Sequence, residues 1–339
     1  MINQPKSDIN TFPQTTPFSD IIVTFTSTDD FNKLSTKNIN SYPFFEREYL
    51  ELFSNNFNCN PYYLCVKHDN RIIMEGYFDK LDEQLILLGM RPVLGGQELT
   101  DYGDVIYSGY ISGDLGVKLW GETKSYLSTM GIKTIRLDYL RADSPTLLFL
   151  KSLPNVEISD QEVAPFIELS AGFEGILNRI NKKDRQELKR KLRRLEAIDY
   201  KFEVKIEISE TDINEFIRLH RLSDPLKEKF MSKAMAEYFK MLIRLRFKNW
   251  NVNMAFLEIE GKNAASVLFF SNGIVLMGYN SGYDPLFTYY SPGLMSKVKL
   301  MQWAIENGFQ TFDTLRGNER YKYDLGAVDL KLYKAIIKL

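Results

Sequence analysis

The sequence predicts an α/β protein with mixed sheets, built from one unit used twice. Two observations carry this. A helix–glycine–strand junction occurs at Met130-Gly131-Ile132 and again at Asn307-Gly308-Phe309, at the same place in each half of the 339 residues. In both halves that junction follows a block of alternating or apolar runs broken by short turn signals, the pattern of hairpins. With 44% apolar and 13% aromatic residues, the chain has the material for a core of this size.

The first unit opens with a strand at 21–27 (IIVTFTS), then a helical stretch at 44–57. Residues 61–90 hold three strands separated by HDNR and DKLDEQ, both turn-like. A long insert (MRPVLGGQELTDYGDVIYSGYISGD) precedes a helix whose Leu119, Thr123, Tyr126, Leu127 and Met130 share a face. Gly131 sits where a left-handed cap is expected, and IKTIRLDYL follows as a strand. The second unit repeats the order. FEVKIEI (202–208) is a strand and TDINEFIRLHRL a helix; 252–282 hold three strands joined by EGKN and SNG. Leu294, Val298, Met301 and Ile305 line one face of the next helix, which closes at Gly308 before the strand QTFDTL. An internal duplication accounts for this order. Between the units, two apolar stripes (Phe173, Ile176, Leu177, Ile180, then Leu188, Leu192, Leu195) predict a helical connector broken near Asn181.

Forty-three basic and 44 acidic side chains leave a net charge of −1, which excludes a global basic field for nucleic acid. Two cysteines, Cys59 and Cys65, lie in or beside an apolar run and read as buried spectators in a reducing compartment. No apolar run approaches the roughly 18–20 residues of a membrane span. Residues 1–18 are polar, without a signal-peptide pattern, and read as a disordered leader. The expectation is a cytoplasmic protein. Two distant histidines and two cysteines give no metal site.

Four stretches carry chemistry. In YYSPGLMSKVKL, Ser291 reads as an N-cap, Pro292 as the first helical residue and Gly293 as an open approach to first-turn amides that attract phosphate. His220, in FIRLHRL, need not face the core: it is either structural or a neutral imidazole that takes a proton from an attacking ammonium. The run NKKDRQELKRKLRRLE holds eight basic side chains in sixteen residues, either a solvated helix face or a phosphate-contact surface. FDTLRGNERYKYDLGA (312–327) crowds charges and tyrosines at a strand's end, where ligands collect in open α/β sheets. The equivalent stretch of the first unit, RLDYLRADSPTL, lacks that density, so the chemistry is expected in the second unit.

The order LKRKLRRLE, FIRLHR, GYNSGYDP, YYSPGLM, FDTLRGNERYKYDLGA resembles GNAT-superfamily N-acyltransferases. Within them it resembles the acetyltransferase-like group associated with cellulose biosynthesis (CelD-like), related to the Fem-type peptidyltransferases. The resemblance is strongest over 170–330 and looser in the first half, through TDYGD. It implies two tandem GNAT-like domains. The first, 19–168, would serve as scaffold or acceptor platform; the second, 169–339, would be catalytic and carry the basic connector helix 173–197. It implies transfer of an acyl group, most simply acetyl, from acyl-CoA to a small-molecule or peptide amine by direct attack. The paired glycines usual in GNAT enzymes are absent beside Gly293, which keeps an aminoacyl-tRNA donor as the alternative and a non-catalytic module as a third reading. The positions implied are Tyr290, Ser291, Gly293, Arg316, Tyr321 and Lys322 for the donor, with Lys322 near a phosphate and Tyr321 beside the pantetheine or adenine. Asp313 or Glu319 would hold the amine or act as base. Asp284, otherwise a turn-former, would line the acceptor pocket with Tyr279.

Overall fold

The computed structural model describes residues 21–28, 30–34 and 42–339; the expected leader at 1–18 lies outside them. The first lobe runs β1 (Ile21–Ser27), α1 (Arg47–Phe57), β2 (Pro61–His68), β3 (Arg71–Leu81), β4 (Gln84–Leu87), β5 (Ile106–Tyr107), α2 (Gly113–Thr129), β6 (Thr134–Arg141), α3 (Pro145–Leu150) and β7 (Val156–Val163). The short β8 (Phe166–Glu168) leads to α4 (Gly172–Arg179) and α5 (Lys182–Glu196), which meet at a break where the Asn181 side chain caps α5. The second lobe follows: β9 (Tyr200–Lys205), α6 (Glu210–Leu222), α7 (Pro225–Phe230), α8 (Lys233–Ile243), β10 (Asn251–Ile259), β11 (Lys262–Ser271), β12 (Val275–Tyr283), α9 (Pro292–Glu306), β13 (Thr311–Asp313), α10 (Arg320–Asp324) and β14 (Lys331–Lys338).

Local sequence explains the turns. Asp69-Asn70 and Glu260-Gly261 both adopt positive φ at both positions and close two-residue hairpins, His68 opposite Arg71 and Ile259 opposite Lys262. That handedness matches the twist of the flanking strands. Gly131 and Gly308, at φ 77° and 79°, end α2 and α9 in the left-handed region.

Each lobe holds one mixed sheet. The first has the order β1-β2-β3-β4-β6-β14-β7, with β5 also on β3; the second has β8-β13-β12-β11-β10-β9. Strands cross between lobes in both directions. β8 leaves the first unit to pair with β13, and β14 returns from the second to sit between β6 and β7.

The second sheet is buried on both faces, so β11 is apolar without alternating with polar residues. Val267 and Phe269 pack toward α4, α5 and α9 with Met295, Val298 and Met301. Leu268 and Phe270 point the other way, into one continuous core with α6, α8 and the first lobe. Phe44, Phe270 and Tyr279 touch across that boundary, with ring centroids 5.0–6.0 Å apart. The lobes are therefore packed by a shared core. Among the described residues no helix is long and apolar enough to cross a membrane.

Candidate active site

In the second sheet, parallel β12 and β13 pair at only three positions, Val275–Thr311, Leu276–Phe312 and Met277–Asp313. Beyond Met277, β12 continues to Tyr283 along β11, with a bulge that leaves Tyr279 as the extra residue between Gly278 and Asn280. A bulge bends its strand, and here β12 parts from β13. The parting makes a wedge. Its inner end is a pocket of about 20 Å³ lined by Gly278, Asn280, Ser281, Phe312 and Thr314. Its outer end is a cleft of about 270 Å³ lined by Tyr283, Thr288, Ser291 and Gly293. Lys297 of α9 and Tyr321 of α10 line both ends, so the two are continuous.

Lys297 sits at the centre. Its Nζ donates to Ser281 Oγ at 3.0 Å and Gly293 O at 2.9 Å, and lies 4.7 Å from the Tyr321 ring centroid. Burial, with Lys227 as the next cause, pulls its pKa down from 10.5 to about 7. Lys227 of α7 donates to Ser281 O at 2.6 Å, and burial lowers its pKa too.

Of the residues expected to bind the donor, Ser291, Gly293 and Tyr321 line the cleft. Tyr290 stands just before them, half-buried, its ring edge-on to Tyr289 at 5.1 Å. Ser291 differs from expectation in detail. It precedes α9 with φ 55° and ψ 50°, and its side chain makes no cap hydrogen bond. Its carbonyl instead accepts from Leu294 and Met295 N–H, while Pro292 has no N–H to satisfy.

Arg316 and Lys322 are used elsewhere. Arg316 lies flat against Tyr139 of the first lobe, 3.8 Å from the ring centroid. It bonds Glu98 at 2.8 Å and Asp101 at 3.2 Å, with Glu162 at 3.5 Å. Lys322 is 1% exposed; its ammonium donates to the carbonyls of Leu315, Arg316 and Gly317 at 2.9, 2.5 and 3.0 Å and pairs with Glu319 at 2.9 Å. With every proton engaged, it holds the left-handed turn at Leu315 and Gly317 and has none to offer a phosphate.

The expected catalytic positions separate likewise. Asp313 is buried at the lobe boundary, both oxygens within 2.8 Å of Tyr102 Oη, with Arg141 at 3.6 Å; burial raises its pKa. Asp284 accepts from Leu286 N–H and starts a 3-10 turn at Pro285–Tyr290, with Arg218 at 3.4 Å. Its partner Tyr279 is in the shared core, donating to Leu99 O at 2.8 Å. His220 is 1% exposed, because α6 turns it inward between Phe216 and Phe230. Its Nε2 lies 2.8 Å from Asn280 Oδ1, and burial with nearby Lys227 lowers its pKa to about 4. It is neutral near pH 7 and reaches the wedge only through Asn280. Glu319 remains at the surface beside the cleft, 58% exposed.

Sequence reasoning missed Lys297, Lys227, Asn280, Ser281 and Thr314. The one available signal was the spacing of Lys297, one turn after Gly293. The chemistry of the lining fits an acyl-CoA: an opened strand edge with side-chain amide and hydroxyl groups suits an amide-bearing arm, and Lys297, with Lys227 beside it on Ser281 O, suits phosphate. A Cβ at Gly293 would approach the Tyr283 ring to 2.9 Å, so glycine keeps that wall of the cleft clear.

Residues 182–323, which include the whole wedge, match the family model for an acetyltransferase (GNAT) domain. Over that span the second lobe is similar to GNAT acetyltransferase domains. Solved structures extend the likeness to both lobes. FemX superposes with a TM-score of 0.64 at 10% identity, covering 89% of this chain and 93% of that one. A conserved protein of unknown function from Bacteroides thetaiotaomicron reaches 0.59 at 10% identity, over 94% and 100%. The L-PGS of Bacillus licheniformis reaches 0.54 at 14% identity, over 89% and 94%. At such identities the shared property is the fold of the two lobes together. No curated protein matches the chain.

Proposed function

We propose that this protein transfers an acyl group from acyl-CoA to an amine in the wedge between β12 and β13. One observation carries the reading: the GNAT-domain sheet opens after Met277, and the opening is lined by polar groups. When bound, the thioester supplies the activated acyl carbon. Gly278, Asn280, Ser281 and Thr314 line its path, and Tyr321 covers it from α10. The neutral His220 orients Asn280 through their 2.8 Å contact. Glu319 is the proton acceptor in this reading: it is exposed, and its charge acts on both Lys297 and Tyr321 of the cleft. The acceptor nitrogen, as a free amine, bonds to the acyl carbon, the carbon–sulfur bond breaks, and the sulfur leaves as a thiolate that takes a proton from solvent. The nitrogen's proton passes to Glu319.

The test is incubation with acetyl-CoA and longer acyl-CoAs against a mixed amine library, read by free thiol and by acylated product. Turnover that falls at least ~100-fold in Glu319→Gln, the low end of the usual contribution of a general base, is the expected result. Absence of thiol release with every donor ends the proposal.

A second reading, an aminoacyl-tRNA donor, is favoured by one contact. Arg194 of the basic α5 stacks 4.2 Å over Tyr289 and donates to its carbonyl at 2.6 Å, beside Thr288 of the cleft. Salt-dependent tRNA binding that collapses when Arg190, Arg193 and Arg194 are neutralised supports it; indifference to tRNA at low salt removes it.

A further inference from the structure

Two lysines from different helices meet at one serine in this wedge. Lys227 comes from α7, beyond α6; Lys297 comes from α9, on the cleft wall. One bonds the carbonyl of Ser281 and the other its hydroxyl. Every other partner of these two ammonium groups is neutral: Gly293 O and the Tyr321 ring on the Lys297 side. Among the described residues, no carboxylate lies within ion-pair distance of either. Asp224 and Glu319 act on Lys227, and Glu319 on Lys297, only from farther away, while Lys322 adds more positive charge.

The rest of the lobe is unlike this. Arg316 has three carboxylate partners, Arg218 two, and Lys322 one. Arg316 and Lys322, the deeply placed cations beside the wedge, are balanced by carboxylates, whereas Lys227 and Lys297 repel one another where β12 has parted from β13. Like charges brought together out of water are unfavourable by themselves, and an anion between them removes the cost.

We propose that Lys227 and Lys297 form an anion subsite at Ser281 that takes a phosphate or carboxylate group carried by a substrate of the wedge. This rests on reading the wedge as the transfer site, and it narrows the substrates to those bearing such a group near the reacting centre. Two sources fit the chemistry: a phosphate of the donor, or an acidic group on the acceptor amine.

The experiment uses the full chain and inorganic phosphate at constant ionic strength, with chloride as control, read by thermal shift and titration calorimetry. Phosphate is expected to raise the melting temperature of the wild type. Lys227→Met and Lys297→Met are each expected to weaken phosphate at least ~10-fold, the scale of one lost charged hydrogen bond. Without phosphate, each should melt at the wild-type temperature or above it, because one of two repelling charges is gone. A merely structural lysine would lower the melting temperature instead. Lys297→Arg should keep phosphate binding. Should a methionine variant fail to fold, the glutamine variant carries the same comparison.

Two donor arms separate the sources. If acyl-CoA weakens in the variants while phosphate-free acyl-pantetheine does not, the subsite holds the donor. If both donors bind as in wild type while phosphate is lost, it holds the acceptor. Phosphate binding that vanishes in the variants of a protein that binds no thioester would retain the subsite and remove the acyl-CoA reading. Phosphate no better than chloride on the wild type, or equal binding by wild type and variants, overturns the subsite.

Discussion

The two lobes open their sheets in the same way and use the opening differently. In the first, parallel β4 and β6 also pair at three positions, Gln84–Thr134, Leu85–Ile135 and Ile86–Arg136, then separate. There the insert from Leu88 to Val105 enters. Leu88 N–H bonds Tyr77 O of β3, Gly103 N–H bonds Tyr139 O of β6, and β5 is laid against β3. Met90, Val93, Tyr102 and Val105 are buried in it, leaving a residual space of about 20 Å³. A Cβ at Gly103 would come within 2.3 Å of Asp138 O, so the insert fits only with glycine at that point. In the second lobe no described segment is threaded into the opening, which is lined by Lys297, Tyr321 and polar groups of β12. One lobe's opening is thus packed and the other's is a cleft. The length of the β4–α2 connection decides which.

Filling the second wedge should have the largest effect. Ser281→Leu is expected to weaken donor binding and transfer at least ~100-fold, about 2.7 kcal/mol, with the denaturant midpoint nearly unchanged. A leucine that leaves donor binding intact would show that the donor lies elsewhere.

Unplugging the first wedge should act on stability instead. Tyr102→Ala removes a buried ring and its bond to Asp313, for a loss of about 3–5 kcal/mol in chemical denaturation. Arg316→Met strands the carboxylates of Glu98, Asp101 and Glu162, with a loss of similar size, about 3–5 kcal/mol. Either variant unfolding at the wild-type midpoint would mean that the junction is not what holds the lobes.

The wedges should also differ in their response to pH. Lys297 has its pKa lowered from 10.5 to about 7, so the unfolded chain binds more protons between those values and stability rises with pH across that window. Lys297→Met should flatten this rise in melting temperature between pH 7 and 10. The smallest effects come in acid. His220, lowered from 6.5 to about 4, destabilises the fold as pH falls through that range. Asp104 of the first lobe, raised by burial from 3.8 to about 6, does the reverse, gaining stability as pH falls from 6 toward 4. His220→Gln should shift the acid limb of the stability profile to lower pH, and Asp104→Asn to higher pH.

Much of the fold was legible because its signals are local. The hairpin turns at Asp69-Asn70 and Glu260-Gly261, and the glycine caps at 131 and 308, need only neighbours in sequence. β14 was not legible, since Lys331–Lys338 gives no sign that it will join strands nearly 200 residues earlier. The site was half legible for the same reason. Residues 312–327 carry an unusual density of charge and ring, but sequence cannot say what that density faces. Arg316 and Asp313 face the first lobe, more than 200 residues away in sequence, and Lys322 faces its own backbone. Lys297 was passed over because a lysine in an amphipathic helix ordinarily meets water. Only the parting of two strands makes it a cleft residue.

The exchange of β8 and β14 constrains how the protein is born. Ribosomes release amino-terminal segments first, and compact units usually form as they emerge. Here β7 finds no partner in the sheet, and β6 keeps an open edge, until residues 331–338 have been made. Throughout synthesis that edge is a template for any other extended segment nearby. Completion of the earlier half therefore waits on the later one, and a chain interrupted before Lys331 should be sticky and short-lived, however sound the second lobe behind it.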